Sequence, residues 1–335
     1  MSDHPASLSA ARPFTTLSPD CLWNALDSVG LCGDGRLQAL NSYENRVYQV
    51  GMENGPPLVV KVYRPTRWCD AAILEEHQFL FELEAAELPV VPPLRLCGDR
   101  SLHQYQGFRF AVFPRQGGRV PELNDSSTLE WMGRLLGRLH GVGATARYRA
   151  RPALDIDGFG QESRDYLLND GWLPAELAPA YRSIADQALD RIRRSFDRAG
   201  DYRPLRLHGD CYPGNLLWTD DGPHFVDFDD SRTGPAIQDL WMLLAGDRQE
   251  RGIQLTDLAA GYECFSDFPV QQIQLIEPLR CLRIMHYAAW LARRWQDPAF
   301  PMAFPWFNTP SYWSEHINSL REQVAAMDEP PLWST

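Results

Sequence analysis

A two-lobed α+β chain, β-rich toward its N-terminus and helical beyond, is what this sequence predicts. Three observations predict it. Apolar runs flank Asn54-Gly55, a hairpin signal, early in the chain. Apolar residues recur at three- and four-residue spacing through most of the chain after Ser127. Between the two regimes lies a Pro- and Gly-bearing linker, Pro114 to Pro121. A chain of 335 residues is long enough to bury a sizeable core in each lobe.

Residues 1–17 read as a flexible tail. Ser18 is an N-cap with Pro19 in the first turn, and the helix it opens runs through Leu22, Ala25, Leu26 and Val29 to Gly30. Asn41 to Val50 and Pro57 to Tyr63 read as strands. Asp70 to Glu87 is helical through Ile73, Leu74, His77, Leu80, Phe81 and Glu84, and Leu88 to Pro93 stops it. Leu94 to Leu96, Leu102 to Gln104 and Phe108 to Phe113 are short strands. Helices follow at Ser127 to His140, at about 160–200, and at Ile237 to Ala245, Leu255 to Phe265 and Ile276 to Trp295. A strand pair at Leu216 to Trp218 and His224 to Phe228 interrupts them. The expected division is a tail over 1–17, an N-terminal lobe over 18–116 and a C-terminal lobe over 117–335.

Composition narrows the function classes. Hydrophobic residues make up 44% and charged residues 23%, as in ordinary globular proteins. The net charge of −12 argues against nucleic acid as a partner. Seven cysteines at wide spacing, with no C-x-x-C, read as reduced, mostly buried thiols rather than a zinc or disulfide framework. No signal peptide and no apolar run of about 20 residues is evident, so a cytoplasmic protein with no membrane partner is expected.

The chemistry concentrates in Leu207-His208-Gly209-Asp210-Cys211-Tyr212-Pro213-Gly214-Asn215, followed by Phe225-Val226-Asp227-Phe228-Asp229. Pro213 and Gly214 impose a turn, so Asp210 and Asn215 share a loop. Asp210 suits a hydroxyl-proton acceptor, and Asn215 offers a hard neutral oxygen to Mg²⁺. Asp227, expected on a strand, can bridge metal and phosphates. The ordered set H-x-D-x-x-x-x-N, then two apolar residues and Asp, points to phosphoryl transfer from Mg-ATP. Lys61, on an otherwise apolar strand, fits a phosphate-binding lysine held by Glu75 or Glu76 on the following helix. Small polar residues at Asn41 to Asn45, Ser42 among them, can cover phosphates without a glycine. His208 is expected to pack and brace the loop, and Asp239 to tie its helix to that loop. Asp229 and Asp230 read as a solvated acidic edge. Cys211 reads as a buried thiol without a redox role. The arginines of Ile276 to Trp295 read as packing and a solvated face rather than a substrate wall.

These residues resemble the aminoglycoside phosphotransferase and choline kinase group, which shares the protein-kinase-like fold, and within it the bacterial stress response Ser/Thr protein kinases. The likeness spans about Asn41 to Trp295. It is carried by Leu40 to Gln49, Val60 to Pro65, Ile73 to Phe79, Gln238 to Leu244 and Asp297 to Pro301, besides the loop motifs. The resemblance implies Asp210 as proton acceptor, with Asp227 beside it as a catalytic residue. Asn215 and Asp227 bind Mg²⁺. Lys61 touches the ATP phosphates with Glu76 as its partner, Ser42 sits at the ATP site, and Phe113, Pro114, Arg115 and Gln116 form the hinge against adenine. It implies ATP as co-substrate, self-phosphorylation, a stress role and a monomer.

The sequence departs from ordinary protein kinases. It lacks G-x-G-x-x-G, has His208-Gly209-Asp210 for H-R-D and Asp227-Phe228-Asp229 for D-F-G, and holds no A-P-E between Asp227 and Asp239. The leading expectation is a Ser/Thr protein kinase. The alternatives are a kinase for a hydroxylated metabolite, of the choline, aminoglycoside or homoserine kinase kind, and a nucleotide-binding module without turnover.

Overall fold

A computed structural model of the chain describes residues 13–123 and 125–333. These residues divide into two compact units, each assembled from more than one segment. The first holds the chain up to Val120 with Leu216–Asp229 and Gln296–Ala299; the second holds Pro121–Asn215, Asp230–Trp295 and the chain from Phe300 on. The boundary expected at 116/117 divides the chain once, whereas contacts return two later segments to the first unit.

Of the expected tail, residues 1–12 lie outside the described residues. Within 13–17, Phe14 stacks on Phe108 with ring centroids 6.3 Å apart, and Leu17 packs against the core. Ser18 caps α1 (Pro19–Asp27), its hydroxyl accepting from the Cys21 N–H, and α1 buries Cys21, Leu22, Ala25 and Leu26. Then come β1 (Gly33–Leu40), β2 (Arg46–Met52), β3 (Leu58–Val62), α2 (Asp70–Ala85), β4 (His103–Tyr105) and β5 (Phe108–Pro114). The strands form one antiparallel sheet in the order β1-β2-β3-β5-β4. Strand β1 was not anticipated, and the strand expected over 41–50 starts only at Arg46. As an edge strand β1 is mostly solvent-facing, so it lacks the alternation that marks a half-buried strand.

Alternation on β3 sends Val60 and Val62 into the core with Val50, Phe108, Phe110, Val112 and the α1 residues. Lys61 therefore points to the opposite face. It lies across from Val47 on β2 and Ala111 on β5. Helix α2 buries Ala72, Ile73, Glu76, His77, Phe79, Leu80 and Leu83. The His77 ring nitrogens are satisfied by Tyr63 Oη at 2.7 Å and Ser101 Oγ at 2.9 Å.

The second unit begins with α3 (Ser126–Gly143), whose N-cap Asp125 accepts from the Thr128 N–H. A π-helical turn at Asp157–Gln161 leads into α4 (Glu162–Asn169), followed by α5 (Ala178–Ala199) and β6 (Leu205–Leu207). The chain then supplies the first unit with the hairpin β7 (Leu216–Thr219) and β8 (Gly222–Phe225). Strand β9 (Arg232–Gly234) pairs with β6, and α6 (Ile237–Trp241), α7 (Arg248–Tyr262), α8 (Ile276–Arg294), α9 (Ala299–Ala303) and α10 (Pro310–Ala326) follow. Helices α3 and α7 pack closely because Gly133 and Gly261 carry no Cβ; one at either position would strike the other helix's backbone. The three-residue strands β6 and β9 are too short to show a period, and α10 was not anticipated. Helix α6 ends at Trp241, short of the expected Ala245.

All seven cysteines are free. Cys21, Cys211 and Cys281 are buried, but Cys32, Cys69, Cys97 and Cys264 are exposed, so the expectation of mostly buried thiols is corrected. Among the described residues no helix is long and apolar enough to cross a membrane.

Candidate active site

In the first unit, chemistry gathers around Lys61. Its ammonium lies 3.0 Å from Asp229, 3.3 Å from Asp227 and 3.4 Å from Glu76. Burial alone would pull the lysine pKa down; Asp229, Glu76 and Asp227 outweigh it and hold the amine protonated well above its ordinary range. The helical partner is Glu76, whose place on α2 turns it inward among the buried residues.

Two expectations change here. Strand β8 ends at Phe225, so Asp227 is not on a strand. It stands two residues beyond, at φ +60°, a left-handed conformation that Asp tolerates better than most residues. That bend leaves its carboxylate 57% exposed. Asp229 is not a solvated edge: its side chain is 5% exposed and bridges Lys61 to Arg67, which lies 2.5 Å away. Two cations around one buried carboxylate meet the condition under which a charge is kept inside a protein.

The pairing continues outward. Arg67 reaches Glu44 at 3.4 Å, Glu44 holds Arg64 at 2.9 Å, and Arg64 holds buried Asp297 at 2.7 Å. Arg64 also donates to the Tyr43 and Glu44 carbonyls, and its N–H donates to Asn45 Oδ1. The glycine-free turn 41–45 is therefore shaped by a guanidinium. Ser42 contributes to the same turn, its hydroxyl donating to the Asn45 carbonyl at 3.1 Å and accepting from the Val47 N–H at 3.2 Å. Of the residues expected at a hinge, Phe113 and Pro114 stand opposite Val59 and Leu58 in the sheet. Arg115 donates to Gln49 Oε1 at 2.7 Å, and Gln116 to the Gly117 carbonyl at 3.1 Å.

In the second unit, the loop after β6 carries Asp210 and Asn215. Asp239 on α6 holds it: Oδ2 and Oδ1 accept from the His208 and Gly209 N–H groups, each at 2.8 Å. Asp239 is itself fully buried, with His140 Nε2 3.2 Å from Oδ2. Gly209 has φ +86°, and a Cβ there would run into the Asp230 carbonyl oxygen, so no other residue fits without strain. His208 is fully buried, with Nδ1 3.4 Å from the Asp210 N–H. The Asn215 amide nitrogen donates to the Asp210 carbonyl at 2.9 Å and to Asp210 Oδ2 at 3.2 Å, so its oxygen is the atom it can offer a cation. Arg283 on α8 lies 2.6 Å from Asp210 Oδ1. Burial raises the Asp210 pKa; Arg283 opposes that and Asp230 adds to it, leaving the carboxyl above its ordinary value. A raised but still ionisable carboxylate is a better proton acceptor near neutral pH. Burial, with Asp239 and Asp210 nearby, drives the Cys211 thiol pKa well above its ordinary value, so it stays protonated.

Comparison with known proteins then decides the family. A sequence model of the phosphotransferase enzyme family matches residues 36–272. Stress response kinase A of Escherichia coli K12 is 44% identical over 327 residues, 98% of each chain. The chain belongs to the phosphotransferase enzyme family. The serine/threonine protein kinase RdoA of Salmonella typhimurium is likewise 44% identical over 325 residues, covering 97% of this chain and 98% of that one. Among solved structures, amicoumacin kinase hAmiN matches with a TM-score of 0.70 at 16% identity, over 91% of this chain and 92% of that one. A microcompartment-associated aminopropanol kinase matches with 0.69 at 18% identity, over 93% and 97%. The fold is the two-lobed protein-kinase-like fold, and the protein is an ATP-dependent kinase with a hydroxyl acceptor.

As a family member the chain shows what its sequence motifs left out. Arg67 and Asp229 belong to the Lys61 cluster, Arg64 and Asp297 to the turn at 41–45, and Arg283 to Asp210. Asp297 lay inside a segment of family likeness, which was a signal. The burial of Asp229 had none, since an Asp beside another Asp looks like surface.

Proposed function

We propose that the protein is a Ser/Thr protein kinase that uses Mg-ATP and also phosphorylates itself. The observation that carries this reading is 44% identity over nearly the whole chain to a protein named serine/threonine protein kinase RdoA and to one named stress response kinase A. In the reading, Asp210 accepts the acceptor hydroxyl proton as the oxygen attacks the γ-phosphorus and ADP leaves. Asn215 and Asp227 hold Mg²⁺. Among the described residues no three His, Cys, Asp or Glu side chains gather into a metal group. Each of the two proposed ligands offers the kind of donor Mg²⁺ takes, an amide oxygen from Asn215 and a carboxylate from Asp227, and Mg²⁺ needs few protein ligands. The metal supplies neutralising charge on the phosphates. Lys61 binds the ATP phosphates and is aimed by Glu76 and Asp229. Ser42 and the turn 41–45 cover the phosphates, and Phe113, Pro114 and Arg115 meet the adenine. The protein acts as a monomer in the cytoplasm.

The test is transfer of labelled γ-phosphate to the protein itself and to a generic protein, beside Asp210→Asn. Label should enter Ser or Thr and fall to background in the variant; equal labelling would overturn the assignment of Asp210. A second reading is a metabolite kinase. It draws on the absence of an A-P-E segment and on structural neighbours that act on amicoumacin and aminopropanol. ATP consumption with a library of amino alcohols and sugars, and no labelled protein, would establish it instead.

A further inference from the structure

We propose that Arg283 selects the acceptor: it favours a Ser or Thr flanked by an acidic side chain and disfavours one flanked by a cation. The proposal rests on the protein-kinase reading above. Helix α8 carries four arginines and one glutamate, in a chain where acidic residues outnumber basic ones 44 to 32. The charge is therefore local and contrary to the average. Arg283 stands on Asp210 at 2.6 Å with its side chain 42% exposed, while Asp210 is 21% exposed. An incoming hydroxyl that reaches Asp210 meets this guanidinium.

The neighbouring acids are matched by other cations. Asp230 lies 2.7 Å from Arg232, and Glu277 lies 2.9 Å from Arg251. Charge balance then changes during transfer. The acceptor O–H bond breaks, its proton passes to Asp210, the oxygen bonds to the γ-phosphorus, and the bond from that phosphorus to the ADP oxygen breaks. Asp210 becomes a neutral acid, and Arg283 loses its counter-charge in the partly dry loop. A carboxylate on the acceptor restores that charge as it is lost, so the gain falls in the transition state rather than in binding alone. A lysine on the acceptor compounds the deficit.

The surface beyond Arg283 has the same character. Residues 283, 287, 290 and 294 share one face of α8 by helical spacing. The Tyr287 and Trp290 rings stack at 5.6 Å, and the Arg294 guanidinium lies 5.4 Å over Trp290. From the next position, Arg293 lies over Tyr166 at 4.9 Å. Trp290 is packed from another side by Phe300 at 5.0 Å and Phe304 at 6.0 Å, so the open part of this face is Tyr287 and the arginines, on which an acidic peptide can lie.

The experiment uses the full chain and three peptides identical except at the residues flanking one Ser: Glu, Ala or Lys. The readout is the ratio of kcat/KM values, which cancels any general loss of activity. The wild type should favour Glu over Ala by roughly tenfold, as for one charge-assisted contact, and should favour it further over Lys. Arg283→Gln should bring the Glu/Ala ratio close to one, Arg283→Glu should reverse the order, and Arg283→Lys should keep it, all with KM for ATP little changed. If Arg283→Glu is inactive, Arg283→Gln decides. An unchanged ratio in Arg283→Gln, or a wild type that prefers Lys, overturns the proposal alone. Labelling of no peptide, with phosphorylation of a small metabolite, overturns the protein-kinase reading and this inference with it.

Discussion

Asp229→Asn should destabilise the protein more than Glu76→Gln, although Glu76 is the expected lysine partner. Asp229 faces two cations, Lys61 at 3.0 Å and Arg67 at 2.5 Å, while Glu76 lies 3.4 Å from Lys61. At an effective dielectric of about 20, those attractions are about 5.5, 6.6 and 5 kcal/mol before desolvation is counted. Desolvation of the carboxylate offsets much of each gain. What remains after substitution differs. Without Asp229, Arg67 keeps Glu44 at 3.4 Å, and Lys61 keeps Glu76 and Asp227. Two buried cations then lose their shortest partner at once, a change that costs about 3–5 kcal/mol when a buried pair is broken. Without the Glu76 charge, Lys61 keeps Asp229 and Asp227, so the loss should be about 1–2 kcal/mol, near the value of one hydrogen bond to a charged group. Urea unfolding at pH 7 without nucleotide measures both. Added salt should leave the difference standing, because buried pairs are weakly screened. A loss for Asp229→Asn below about 1 kcal/mol, smaller than that of a typical core substitution, would refute the reasoning. In a double-mutant cycle, Arg67→Ala should cost far less once Asp229 is already Asn.

Three further outcomes follow from the same structure. Asp239→Asn replaces one accepting oxygen with a donor facing a backbone N–H, so it should cost about 3 kcal/mol and most of the kinase activity, read by unfolding and by ATP turnover. Gly209→Ala must hold φ near +86° against the Asp230 carbonyl; a loss of about 2 kcal/mol with weakened turnover is expected. Burial, and after it Arg232, pushes the His286 pKa down to about 3, and burial pushes His316 down to about 4. Both sit below the unfolded value of about 6.5, so the unfolded chain takes up these protons first and stability falls as pH drops from about 6.5 toward 4. Each histidine adds a slope of up to about 1.4 kcal/mol per pH unit, and His316→Gln should remove its share in unfolding curves taken from pH 7 to 4.5.

Much of the first unit was legible because its signals are local. Ser18 and Pro19 start α1 by capping chemistry, and the alternation of Val60, Lys61 and Val62 tells which face the lysine takes. Strand β1 was not legible, because an exposed edge strand has little apolar pattern to read. Nor was the length of α6, whose end depends on the turns at Met242 to Leu244 rather than on helix propensity. At the site, Asp210, Asn215, Asp227 and Lys61 stood out by spacing. Arg67, Asp229 and Arg283 did not, since charged residues read as surface until packing proves otherwise.

By itself the sequence singled out the side chains proposed to carry the chemistry, because turns, caps and strand alternation act over a few residues. Tertiary structure decided which of them meet. It chose Glu76 over Glu75 by the rotation of α2, buried Asp229 between two cations, and brought Arg283 onto Asp210 across 73 residues of chain. The physical reason is that charge pairing depends on burial and distance. Both are set by how separate elements pack, and neither is written in the local spacing of residues.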